Sequence, residues 1–188
     1  MKLRTSLLLA TVLVVLPSFA IAQNSDSASS KSAKNVKTKY DKKKDLTTVT
    51  LKTMALSSAL TREVSSAGET TQLDLSVSFT HPGEQLAKAA DAATLKFKST
   101  SRNPAFQRPQ SLMAVVDDDR AIPLADTTYS SSSQTFYVEE NLSASVPYEV
   151  MKRITSATKL KFFLGSREIS LKQEQLDDLR ELTRRMTP

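Results

Sequence analysis

Apolar and polar residues alternate along much of this chain. From Gln72 to Thr80 the sequence QLDLSVSFT sets Leu73, Leu75, Val77 and Phe79 on one side and Asp74, Ser76 and Ser78 on the other. A period of two predicts a half-buried strand, one face on a core and the other in water. Weaker alternation puts Val49 and Leu51 together in TTVTLKTM, and Leu95 and Phe97 together in TLKFKS. Thr80-His81-Pro82-Gly83 reads as the turn between these segments. LMAVV and AIPL flank Asp117-Asp118-Asp119, a hairpin with a polar turn, and Pro123 assigns its second arm to a sheet edge. Asp126 to Gln134 reads as polar loop. TFYVEENLS is a further strand, with Phe136 and Val138 on one face. KLKFFLGSREISL is the clearest hairpin, because Gly165-Ser166 fits a two-residue turn with glycine first.

Two segments switch to the helical period. In SVPYEVMKRITSA, Val150, Ile154 and Ala157 fall at i, i+4 and i+7, Ser145 or Val146 caps, and Pro147 sits in the first turn where its missing donor costs nothing. In KQEQLDDLRELTRRM, Leu176, Leu179, Leu182 and Met186 form a stripe, with acids early and arginines late as the helix dipole favours. The pattern predicts an α+β fold: one antiparallel sheet of about seven or eight short strands with two covering helices.

The N-terminus follows a different pattern. Lys2 and Arg4 precede an apolar run from Leu7 to Leu16, Pro17 breaks it, and Ala20-Ile21-Ala22 ends it with small residues. This is the layout of a secretory signal peptide over residues 1–22, and it is shorter than the about twenty apolar residues a spanning helix needs. The expected product is exported, periplasmic or secreted, with no transmembrane span after cleavage. Residues 23–44 are rich in Ser, Lys, Asn and Ala, and Val36 is the one large aliphatic residue among them. They read as a disordered tether before a single domain over 45–188.

Charge follows that division. The chain is +6, and removing Lys2 and Arg4 leaves +4. Lys31 to Lys44 holds seven lysines against one aspartate, so the remainder from Asp45 onward is close to neutral. A nucleic-acid-binding domain carries its positive charge on the fold, so no nucleic-acid partner is expected. The lysine run is expected to make at most a weak electrostatic contact with an anionic surface. With no cysteine in the chain, the fold must form without disulfides.

The inventory for chemistry is small. Three glycines build no phosphate loop, and one histidine with no cysteine leaves few metal or haem sites, so no cofactor is expected. Asp117, Asp118 and Asp119 are the one weak metal candidate, and they lack the alternating ligands and closing glutamate of a calcium loop. Glu139 and Glu140 are neighbours on a strand and face opposite sides, so they do not act as a carboxylate pair. The loop SRNPAFQRPQ sets Phe106 between Arg102 and Arg108, an arrangement able to stack on a ring and pair with an anion. Lys96 and Lys98 share a strand face, as Lys159 and Lys161 do, and neighbouring strands would join them in a basic patch.

Arg102, Phe106, Arg108, Lys96 and Lys98 are therefore the candidate ligand-binding residues, and no catalytic residue is assigned. The expected function is a non-catalytic binding module of the envelope or extracellular space. The alternative is a small secreted hydrolase using Ser or Asp residues with His81 as general base.

Overall fold

The computed structural model describes residues 34–56 and 70–188. Residues 1–33, which hold the segment read as a signal peptide and the first part of the expected tether, lie outside them. The fold is α+β, with antiparallel sheets and two helices. The strands are divided between two sheets, where the alternation predicted one.

The larger sheet has the order β1-β2-β4-β5-β9-β8, and short β3 (Met54–Ala55) adds to β4. Its strands are β1 (Val36–Asp41), β2 (Leu46–Leu51), β4 (Thr70–Pro82), β5 (Ala92–Ser101), β8 (Thr128–Ser133) and β9 (Val138–Pro147). The smaller has the order β11-β10-β6-β7, from β6 (Ser111–Val116), β7 (Ile122–Asp126), β10 (Leu160–Leu164) and β11 (Arg167–Ser170). Leu73, Leu75, Val77, Phe79, Leu95 and Phe97 are buried as their alternation requires. The Phe97 and Phe162 rings meet edge to face at 6.1 Å, joining the inner face of β5 to that of β10.

The helices complete the cover. α1 (Tyr148–Thr155) begins directly after β9, with Pro147 as its N-cap. Its buried residues are Met151, Ile154 and Thr155, so the stripe is rotated from the predicted one and Val150 is only half-buried. α2 (Gln173–Arg184) buries Leu176, Leu179 and Leu182 as expected. The Arg180 guanidinium ties it back to the Asp177 carboxylate and to the carbonyls of Thr155 and Ala157 at the end of α1.

Four expectations are corrected. The tether does not extend to Lys44: Val36–Asp41 is an edge strand paired with all of β2. Val36 is buried, and the Asn35 amide donates to both Asp178 oxygens at 2.9 and 3.0 Å. One buried side chain and a hydrogen-bond ladder are enough to order an edge strand. The domain therefore includes part of the lysine run.

His81 is not in a turn, because β4 continues to Pro82 and pairs with Leu46–Thr50. The stretch read as polar loop contains β8, which pairs with β9 over all six residues. Phe136 does not face inward with Val138; it is 87% exposed at the β8–β9 turn.

Candidate ligand-binding cleft

The burial pattern of β9 places Glu140, Leu142, Ala144 and Val146 on its inner face. Glu140 is fully buried. A buried carboxylate needs donors, and the loop between β5 and β6 supplies them. Oε2 accepts the Ala105 amide at 2.6 Å, Oε1 accepts the Gln107 amide at 2.9 Å, and the Phe106 amide lies within 3.2 Å of both. Tyr129 Oη on β8 donates to Oε1 at 2.9 Å. Gln107 has φ 62°, a left-handed conformation that turns the chain away after the third amide. Three successive amides converging on one anion form a nest, filled here by the protein's own carboxylate. Burial pushes the Glu140 carboxyl up, but donation from Gln107, Ala105, Phe106 and Tyr129 outweighs it and holds the group below the usual range.

This latch fixes a loop that would otherwise be a free Pro-rich connection. Phe106 turns inward into the core, and the Arg167 guanidinium lies 4.5 Å from its ring centroid. An Arg167 N–H also donates to the Ala105 carbonyl at 3.2 Å. Burial draws Arg167 down from the ordinary arginine range, and the Glu140 charge partly restores it. At the other end of the loop, Thr127 Oγ1 accepts the Gln110 amide and donates to its carbonyl, while Gln110 Nε2 donates to the Phe106 and Arg108 carbonyls.

Between this loop and the β10–β11 turn lies a cleft of about 420 Å³, lined by Ala105, Phe106, Gln107, Arg108, Gln110, Leu164, Ser166 and Arg167. That volume is within the range of small-ligand sites. Two arginines, two glutamines and a serine are among its lining residues. The carboxylate nearby, Glu140, is already engaged by four donors, so the lining favours an acidic group over a basic one.

The five candidate ligand residues are thus separated. Phe106 and Arg108 belong to the cleft, although Phe106 is largely covered by its own fold. Arg102 is exposed on the loop outside the lining. Lys96 and Lys98 lie on the outer face of β5, on the far side of the larger sheet. Lys98 Nζ pairs with Glu139 at 2.7 Å, which confirms that Glu139 and Glu140 point oppositely.

Lys161 of β10, with Lys159 just before that strand, belongs to the other sheet, so no joint patch with Lys96 and Lys98 forms. Lys161 pairs with Asp118 at 3.1 Å and Glu168 at 3.4 Å. Arg167, Ser166 and Glu140 were not among the candidates. Glu140 carried a signal, since it falls in phase with Leu142, Ala144 and Val146; Arg167 and Ser166 carried none.

The aspartate triplet is a turn. Asp117 and Asp118 have φ of 53° and 61°, and the Asp119 amide donates to the Val116 carbonyl at 2.9 Å. Positive φ at both central residues is the I′ geometry that suits a hairpin. Asp117 Oδ1 accepts from Thr158 Oγ1 and from the Thr158 and Lys159 amides, and Asp118 pairs with Lys159 and Lys161. Two of the three carboxylates are thereby spent on the neighbouring β10 entry. Among the described residues no three acidic or histidine side chains are grouped to hold a metal ion.

His81 is buried beside Phe79, its Nδ1 3.0 Å from the Pro82 carbonyl. It lines a hollow of about 60 Å³ together with Thr80, Leu86 and Asp91. That is well below the roughly 300 Å³ at which small-ligand sites begin. Asp91 is strongly exposed and pairs weakly with Lys88 at 3.6 Å.

No protein-family model, curated protein or solved structure matches this chain. The fold and the cleft therefore stand on their own physical description: an α+β domain of two antiparallel sheets with an arginine-bearing polar cleft at one loop.

Proposed function

We propose that this protein is an exported, non-catalytic binding module of the envelope or extracellular space, and that its cleft takes an acidic group of the ligand. The observation that carries this reading is the lining of the cleft. Arg108 and Arg167 face a space of small-ligand size whose nearby carboxylate is already saturated with donors. Guanidinium groups pair with carboxylates and phosphates through two parallel hydrogen bonds, which gives geometric selectivity as well as affinity. The loop backbone is anchored at both ends and in the middle, so the segment that carries Arg108 is ordered before the ligand arrives. The export reading is supported by the leader-like pattern of residues 1–22.

Calorimetric titration with an oligoglutamate peptide and, separately, with inorganic phosphate tests the reading. Saturable binding of either at low salt, weakened at least about tenfold by Arg108→Ala, is expected from the loss of one charge-assisted pair. Absence of saturable binding, or equal binding by the variant, overturns it.

A further inference from the structure

Among the described residues, the strands that end the two sheets, β1, β8, β7 and β11, are treated unequally. An exposed edge strand offers unpaired amides and carbonyls to any other strand, and proteins blunt such edges with charge, proline, bulges or shortness. In the larger sheet, β1 carries Lys37 and Lys39 and leads into the exposed turn of Lys42, Lys43 and Lys44. In the smaller sheet, β7 carries Pro123 and a register shift against β6, and β11 is four residues long with Arg167 and Glu168. β8 has none of these devices. Its sequence TYSSSS holds no charge and no proline, its register with β9 is unbroken from Thr128 to Ser133, and its last four residues are exposed.

A second observation coincides with this edge. Among the described residues the exposed large hydrophobic side chains are Phe136 and Tyr137, at 87% and 43%. Both sit at the tip of the β8–β9 hairpin, where the Gln134 amide donates to the Tyr137 carbonyl.

We propose that β8 is a strand-addition site for a second copy of this chain, which pairs antiparallel through its own β8 and extends the larger sheet across a two-fold axis. The edge accepts an uncharged strand, and β8, with no charge and four serines in succession, is itself such a strand. The Gln134 amide bonds toward β9, so along β8 the outward-facing amides and carbonyls are those of Tyr129, Ser131 and Ser133. With the axis at Ser131, the two copies' Ser131 residues meet at the centre and Tyr129 meets the second copy's Ser133. Each Phe136–Tyr137 tip then lies beside the Thr128 end of the other copy, giving the two aromatic rings a surface to cover. The corresponding β1 pairing would set lysine against lysine, which disfavours it. A strand of six residues and one aromatic tip make a small interface, so the dimer is concentration-dependent rather than obligate.

Sedimentation velocity of the full chain over a wide concentration range tests this, read beside amide hydrogen exchange of β8. A sedimentation coefficient that rises with concentration is expected, together with β8 amides that become protected in parallel. Ser130→Lys with Ser132→Lys places charge on two exposed serines, and it is expected to weaken association at least about tenfold while leaving the circular dichroism spectrum unchanged. Phe136→Ser is expected to weaken it as well. A chain that stays monomeric at every concentration overturns the proposal. So does a lysine variant that associates like the parent, which would assign the contact to another surface, and so do β8 amides already protected at monomer dilution, which would mean that the edge is covered from within. Arg108→Ala leaves this association unchanged, so failure here is distinct from failure of the cleft.

Discussion

Glu140 Oε2 accepts the Ala105 amide at 2.6 Å, joining the inner face of β9 to a loop 35 residues earlier in the chain. With the Phe106, Gln107 and Tyr129 donors, this one carboxylate organises the wall of the cleft. The loop's shape is therefore a consequence of a buried charge, and the consequences of removing that charge are specific.

Glu140→Gln keeps the size of the side chain but replaces one acceptor oxygen with a donor that faces backbone amides. Hydrogen bonds to a charged partner contribute more than neutral ones, and stranded buried amides carry their own penalty. The expected loss is about 2–4 kcal/mol in urea denaturation, with the m-value unchanged. The loop is expected to loosen first. Tryptic cleavage after exposed Arg102 in the native state should accelerate in the variant before global unfolding does, and equal cleavage rates would show that the latch does not hold the loop.

Acid should act on the same group. The folded Glu140 carboxyl lies below its usual range, so in mild acid the unfolded chain binds more protons than the folded one. A carboxyl with a depressed folded value contributes stability that is complete above the unfolded value, about 4.3 for glutamate, and is lost as pH falls through the folded value. Glu181, held down mainly by Arg184, and Glu139, held down mainly by Lys98, have the same sign. Urea midpoints are expected to be flat above about pH 5 and to fall below about pH 4. Glu140→Gln should be less stable above about pH 5 and flatter in the acid range, so that the gap to the parent narrows as pH falls, because the remaining slope belongs to the other carboxylates.

What the sequence made legible was whatever depends on apolar period. The inner faces of β4 and β5 and the stripe of α2 follow directly from Leu73, Phe97 and Leu176 and their neighbours. What it hid were strands that need little apolar burial. β8 lies at an edge, its serines contribute hydrogen bonds rather than core, and so its composition resembles a loop. β1 is ordered by Val36 and by pairing with β2 beneath a lysine-rich exterior. The division into two sheets depends on which hairpins face each other, and period alone does not carry that. Half of the cleft was legible through Phe106 and Arg108; the other half comes from Arg167 and Ser166, 58 residues or more further on, brought in only by the packing of β10 and β11.

Gly165 is the second point where the cleft is vulnerable. Its φ is +61°, and a Cβ there would lie 2.3 Å from Gln110 Oε1. Gly165→Ala thus combines an unfavourable backbone conformation with displacement of the side chain that closes the loop. A loss of about 2 kcal/mol is expected from thermal or urea unfolding. Because the clash is with the end of one flexible side chain, Gly165→Ala with Gln110→Ala should recover the steric part and retain the conformational part. A double-mutant cycle reports the coupling directly, and strict additivity of the two substitutions would remove the steric account.

The lysine-rich segment now divides into structure and charge, and the two parts separate experimentally. Val36 is buried against the core, Asn35 holds Asp178 of α2, and the Lys52 amide donates to the Asn35 carbonyl at 2.7 Å. Lys37, Lys39, Lys42, Lys43 and Lys44 are all exposed on the same hairpin. Deleting Val36–Lys44 removes an edge strand and uncovers β2, so it is expected to destabilise the domain strongly rather than release a spacer. Val36→Ala alone should cost about 1–2 kcal/mol in urea denaturation. Replacing the five exposed lysines with glutamine should change stability little, since none of them is buried, and should reduce any salt-sensitive adsorption to anionic lipid vesicles. If the glutamine variant unfolds while Val36→Ala does not, the roles assigned to Val36 and the lysines are reversed.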